Sequence, residues 1–152
     1  METAFATFAA GCFWGVQEAF EKVEGVLNTA VGYTGGNVPN PSYEMVCSHT
    51  TGHAESIQIE FNRKVLSYSS LLDTFWQIHN PTSINREPWD PNDQYRSAIF
   101  YHSDEQKQLA EQSKKKRETQ VGSPIVTQIV PATVFYRAEE YHQHYFKKEK
   151  QK

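Results

Sequence analysis

No apolar run in this sequence approaches the length needed to cross a bilayer, so no membrane span is expected. Cysteine is scarce. Cys12 and Cys47 are too few for a disulfide framework, and they point to a reducing compartment, with the cytoplasm as the default. Excess charge is lacking too: a net charge of −3 offers no basic surface for nucleic acid or an anionic membrane. No internal repeat, low-complexity tract or change of composition divides the 152 residues, so one domain over residues 1–152 is expected. The small residues of Ala9-Ala10-Gly11-Cys12 invite a lipoprotein reading. It fails because nothing before Cys12 is basic, Glu2 is acidic and the apolar stretch is short. What the chain does have is aromatic side chains, 13% of residues, enough for a core and for a stacking or methyl-binding pocket.

Thr3 to Ala9 reads as a strand, and Val16, Ala19, Phe20 and Val23 recur at helical spacing up to Gly25. Val26 to Tyr33 is a second strand and Tyr43 to Cys47 at most one helical turn. From Glu55 to Phe61 the pattern alternates cleanly, with Ile57, Ile59 and Phe61 on one face. Counting back along that face reaches Glu55, a carboxylate on the buried side that must find partners or stay protonated. Ser67 or Ser70 caps a helix to His79, Asn80 to Asp93 is a long loop, and Ser97 to Tyr101 is a strand. Ser103 with Gln106 forms a capping box for a helix to Thr119, whose Lys114 to Arg117 run reads as a solvated face. Ile125 to Val130 is a last strand, and the aromatic, lysine-rich tail should fray. This order contains a split βαβ arrangement, which predicts an α+β two-layer sandwich on a mixed sheet.

Gly11-Cys12-Phe13-Trp14-Gly15 falls between the first strand and helix. A cysteine in the first helical turn meets unpaired backbone N–H groups and the positive end of the helix dipole, which favour the thiolate. Two aromatics beside it make an apolar wall. The plain alternative is that Cys12 is a small buried hydrophobe and Phe13 and Trp14 are core.

That stretch resembles the signature of the A class of peptide methionine sulfoxide reductases, the MsrA family. So do Gly32-Tyr33-Thr34-Gly35-Gly36, Pro39-Asn40-Pro41-Ser42-Tyr43, Thr51-Gly52-His53-Ala54-Glu55, Gln94-Tyr95-Arg96-Ser97 and Ala138-Glu139-Glu140-Tyr141-His142-Gln143-His144-Tyr145. The resemblance runs in the family's order over roughly residues 5 to 147, and it implies a ferredoxin-like core. It also implies thiol-dependent reduction of methionine S-sulfoxide, free or in proteins. In that reading Cys12 is the nucleophile, Phe13 and Trp14 bind the S-methyl group, and Glu55 is the acid. Tyr43 and Tyr95 hold the sulfoxide oxygen and Glu55, and Asp90 positions the site. The implied chemistry needs no metal or other cofactor. Its reductant is thioredoxin, glutaredoxin or a small thiol.

The sequence departs from the family pattern in two places. Around Asp90 the stretch is Trp89-Asp90-Pro91-Asn92-Asp93, where the family usually has Asn before the aspartate and Gly two residues after it. No cysteine follows Cys47, whereas many members carry resolving cysteines in a C-terminal extension. The Cys12 sulfenic acid formed in the reaction is therefore expected to be reduced by an external thiol. Two readings from other classes remain. Cys47, His49 and His53, with His142 and His144, could form a metal site, and a histidine such as His53 or His142 could activate Cys12 as a cysteine hydrolase.

Overall fold

A computed structural model describes residues 2–48, 50–79, 81–82 and 94–150. The alternating stretch around Ile57 becomes the centre of the molecule. It is strand β3 (Ala54–Asn62), flanked by β1 (Thr3–Ala10) and β2 (Val26–Thr34), both antiparallel to it. The register sets Ala6 against Ile59 and Phe8 against Ile57 on one side, and Val31 against Ile57 on the other. One face of the sheet is therefore almost wholly apolar. Onto it pack α1 (Phe13–Glu21) through Val16 and Phe20, and α3 (Tyr68–Gln77) through Leu71, Leu72 and Phe75. Phe8 lies against Phe20 and Phe75 at ring separations of 5.6 and 5.1 Å. Truncating such a buried ring to alanine costs about 3–5 kcal/mol.

Strand β4 (Ser97–Tyr101) joins the free side of β1, also antiparallel, so β4-β1-β3-β2 carries the split βαβ order. The chain adds two edge strands. After α4 (Asp104–Val121), β5 (Gln128–Pro131) pairs parallel to β4, and β6 (Tyr136–Arg137) pairs antiparallel to β2. The fold is α+β on a mixed six-stranded sheet, as the element order predicts. A smaller cluster of Ala9, Ala54, Ala98 and Phe100 fills the opposite face.

Several boundaries differ from the expectations. Helix α1 stops at Glu21, short of Gly25. Strand β5 begins at Gln128 rather than Ile125, because Ile125 is held as a buried anchor with its amide on the Glu118 carboxylate. Pro131 belongs to that strand and does not merely end it; on an edge its missing N–H costs no ladder bond. Tyr43–Cys47 is a complete short helix, α2, capped by Ser42. The C-terminal segment does not fray at once. A 3-10 turn at Glu140–His142 leads into α5 (Tyr145–Lys150), and Gln143 fastens the segment to β2 by exchanging bonds with the Val31 amide and carbonyl at 2.9 and 2.8 Å. The loop expected over residues 80–93 falls, except for 81 and 82, outside the described residues.

Candidate active site

Gly11 turns the chain out of β1 with φ 92°, a conformation open to glycine at little cost. Cys12 then keeps an extended backbone (φ −62°, ψ 120°) and becomes the N-cap of α1, exposed at the surface. The sequence reading put Cys12 within the first turn; it stands one residue before it. The Phe13 N–H, expected to help the sulfur, is committed elsewhere: it donates to Glu55 Oε1 at 3.2 Å.

Glu55 is the second residue of β3 and only 1% exposed, with Tyr33 as its cross-strand neighbour on β2. Its other carboxyl oxygen accepts a hydrogen bond from Gln94 Nε2 at 2.8 Å. The Gln94 backbone carbonyl in turn accepts the Glu55 amide at 2.8 Å, so one residue holds both ends of the glutamate. The Gln94 amide also reaches Cys47 Sγ at 3.5 Å. Composition and spacing gave no hint of Gln94. Its one signal was its place in the motif beside Tyr95.

Tyr43 opens α2, and the Cys47 thiol interacts with its hydroxyl. Burial first, then the neighbouring Cys47 and the charge of Glu55, push its ionisation well above the ordinary tyrosine value, so it is neutral. Tyr95 also acts on it electrostatically. The start of α2 is anchored from behind by Glu139, which accepts the Tyr43 amide at 3.0 Å and the Tyr33 hydroxyl at 2.9 Å. Burial pushes the Glu139 carboxyl up, but those two bonds, with its own amide and the nearby His142, together hold it below the ordinary range.

Phe13 and Trp14 divide the wall unequally. Phe13 is 1% exposed, packed among Tyr33, Tyr43 and His142, and serves as backing. Trp14 is half-buried and stacks on Tyr145 with ring centres 3.9 Å apart and planes at 8°. Asp90, the remaining candidate, falls outside the described residues, as does His49.

Several residues of the two rival readings are engaged elsewhere. Among the described residues no three His, Cys, Asp or Glu side chains are grouped as a metal site. His53 is 2% exposed and spends both ring nitrogens on the fold: Nδ1 accepts the Gly36 amide at 3.0 Å and Nε2 donates to the Val38 carbonyl at 2.7 Å. His142 Nδ1 is taken by the Trp14 indole. His144 pairs with Glu21 at 2.6 Å.

Comparison with known proteins agrees with this arrangement. The family model described as Peptide methionine sulfoxide reductase matches residues 4–152. The chain is 57% identical over 145 residues to Peptide methionine sulfoxide reductase MsrA of Methanosarcina acetivorans, covering 94% of this chain and 77% of that one. It is 53% identical over 145 residues to a peptide methionine sulfoxide reductase of Solanum lycopersicum, covering 95% and 74%. Among solved structures, reduced Mxr1 from Saccharomyces cerevisiae superposes with a TM-score of 0.89 at 36% identity, over 99% of this chain and 88% of that one. Mxr1 in complex with Trx2 gives 0.69 at 29% identity, over 95% and 85%. With the family model running over residues 4–152 and relatives above half identity, this chain belongs to the A class of the peptide methionine sulfoxide reductase family.

Proposed function

We propose that the enzyme reduces the S-epimer of methionine sulfoxide, free or in proteins, with Cys12 as nucleophile and an external thiol as electron source. The carrying observation is the bond from the Phe13 amide to Glu55, which ties a buried carboxyl to the residue next to the exposed Cys12. A sulfoxide sulfur is a poor electrophile until its oxygen is protonated or strongly hydrogen-bonded. Glu55 delivers the proton, and the Tyr43 and Tyr95 hydroxyls bind the oxygen as its charge grows. The Cys12 thiolate attacks sulfur, the S–O bond breaks, and the oxygen and proton remain on Cys12 as a sulfenic acid while methionine departs. One thiol then condenses with the sulfenic acid, releasing water and leaving a mixed disulfide. A second thiol frees Cys12 and leaves as the oxidised disulfide.

Trp14, backed by Phe13, holds the S-methyl group in a dry position for attack. The resemblance adds Asp90 as a positioning residue. Trx2 bound to Mxr1 supports thioredoxin as a reductant, with glutaredoxin or a small thiol as substitutes, in a reducing compartment such as the cytoplasm. The test offers both epimers with excess dithiothreitol and follows methionine. Complete consumption of the S-epimer with the R-epimer untouched is the expected result. No methionine, or turnover of an activated ester without thiol, would overturn the reading.

A further inference from the structure

At the end of the sheet away from Cys12 the strands leave a notch. β4 pairs with β1 only over Thr7 to Ala10, so the first residues of β1 lie beyond the last ladder bond between them. A cavity of about 570 Å³ opens there. Phe5, Phe61, Leu66 and Leu109 supply its apolar lining, and Phe5 is 45% exposed although it is a large ring on an inner strand. Two segments wall the space: the stretch from Arg63 into the start of α3, and the start of α4. Gln106 fixes the second wall to the sheet. Its side-chain carbonyl accepts the His102 amide at 2.9 Å, and its side-chain amide donates to the Phe5 carbonyl at 2.8 Å. The His102 ring is bonded in turn through Nε2 to the Thr7 hydroxyl at 2.8 Å.

The polar groups of the first wall favour an anion. Among the described residues Arg63 pairs with no carboxylate. The first turn of α3 carries no acid, and its Ser67 cap takes the Ser70 amide, which leaves the Tyr68 and Ser69 amides for another acceptor. Tyr68 lines the cavity as well. It is 7% exposed, and its hydroxyl is buried without a hydrogen-bond partner. A buried donor with no acceptor is costly, and a ligand that brings an acceptor relieves it. Glu105, the acid among the lining residues, stands in the first turn of α4, whose own N-terminal amides offset its charge.

We propose that this cavity binds an apolar monocarboxylic acid, with its carboxylate on Arg63 and the start of α3 and its hydrocarbon body against Phe5, Phe61, Leu66 and Leu109. A guanidinium fork matches the two oxygens of a carboxylate. The apolar lining calls for more than a bare inorganic anion, because most of the surface such a cavity buries on its ligand is hydrocarbon. The cavity stands apart from the reaction. Glu55 and Phe61 lie near opposite ends of β3, and at a strand rise of roughly 3.3 Å per residue they are about 20 Å apart. Ligand in the cavity therefore does not touch Cys12.

The experiment titrates the full ¹⁵N-labelled chain at low salt with n-octanoate, and with n-octylamine and acetate as controls. Octanoate should bind with a Kd of roughly 1 mM, the scale open to so small a ligand, and shift the amides of Ser67, Ser69 and Gln106. Octylamine lacks the anion and acetate lacks the tail, so each should bind at least about tenfold more weakly. Arg63→Gln should weaken octanoate about tenfold and abolish its preference over octylamine. Phe5→Ser should weaken octanoate without changing that preference. Reduction of N-acetylmethionine S-sulfoxide with dithiothreitol should keep its KM in saturating octanoate. No binding up to about 20 mM overturns the proposal, as does equal binding of octanoate and octylamine. Shifts centred on Cys12 together with a raised KM would place the ligand in the active site and also overturn it. So would a folded Arg63→Gln that keeps full octanoate affinity. Should Phe5→Ser not fold, the Arg63→Gln titration and the control ligands decide.

Discussion

The backbone amide of Phe13 donates to the carboxyl of Glu55 at 3.2 Å across 42 residues of sequence. The bond ties the first residue after Cys12 to the acid proposed to serve it. Acid and nucleophile are therefore positioned by the same turn, and a change to either end of that bond is felt at both.

Cys12→Ser should abolish methionine formation, because a serine hydroxyl at a helix N-terminus does not ionise at neutral pH and cannot accept the sulfoxide oxygen reversibly. Cys47→Ser should keep most of the activity. Serine retains a hydrogen-bonding group for the Gln94 amide, which donates to Cys47. Steady-state assays of both variants check this; equal loss from the two would remove Cys12 from its place as the sole nucleophile.

Glu55→Gln removes the proton donor and sets its new NH2 group against the Gln94 amide, which donates to that position. The chemical step should slow by roughly 10²–10⁴-fold, the usual scale for lost general acid catalysis. The basic limb of the pH–rate profile should flatten at the same time. Single-turnover rates against pH measure both, and a wild-type profile would leave Glu55 with a structural role only.

Much of this site is legible in the chain because its parts sit on regular elements. The period-two pattern of Ile57, Ile59 and Phe61 fixes which face Glu55 takes, since a strand allows two faces and an apolar core chooses one. The glycine before Cys12 and the helical spacing after it fix the turn. Gln94, Glu139 and His142 lie instead where the chain has no periodicity. Their roles depend on bonds to residues 39, 96 and 128 positions away, and no local pattern encodes such a distance. The two-residue strand β6 is invisible for a related reason: it is too short to alternate.

Trp14→Ala should weaken binding and rate together. Burying one methyl group is worth only about 1 kcal/mol, so most of the loss comes from a substrate no longer held in line for attack. The specificity constant of a folded variant measures it, and an unchanged value would move Trp14 from the pocket to the core.

His79 supplies a pH dependence unrelated to catalysis. Its Nδ1 donates to the Phe75 carbonyl at 2.7 Å and its Nε2 accepts from Ser97 at 2.9 Å, and burial lowers its pKa to about 4. The unfolded chain binds a proton below about 6.5, before the folded one does. Stability from this group is therefore complete above pH 6.5 and is lost as pH falls toward 4, by roughly 3 kcal/mol over that window. Urea unfolding between pH 4 and 7 should show the slope, and His79→Gln should reduce it. A variant with the wild-type slope would mean that other groups set the acid limb.

The last prediction concerns what Cys12 becomes after one turnover. The structure gives Cys47 a place near the site that the sequence did not suggest: its thiol accepts the Gln94 amide and interacts with the Tyr43 hydroxyl. A Cys12–Cys47 disulfide would have to break that arrangement. The hydrogen-bonded path from the Cys12 side to Cys47 runs through Glu55 and then Gln94, two side chains deep. A disulfide needs Cα atoms within about 7 Å and correctly aimed Cβ bonds, and forming it would cost Cys47 its bond from the Gln94 amide. An exposed sulfenic acid on Cys12 should therefore outlive the chemical step and wait for an external thiol. Enzyme mixed with excess S-sulfoxide and no reductant should release about one methionine per chain, and a sulfenic-acid trap added at quench should label Cys12 while Cys47 remains alkylatable. Peptide mass spectrometry reads both sites at once. A Cys12–Cys47 disulfide as the main product would show that Cys47 resolves the intermediate, and Cys47→Ser should then lose multiple turnover with any reductant that acts only on disulfides.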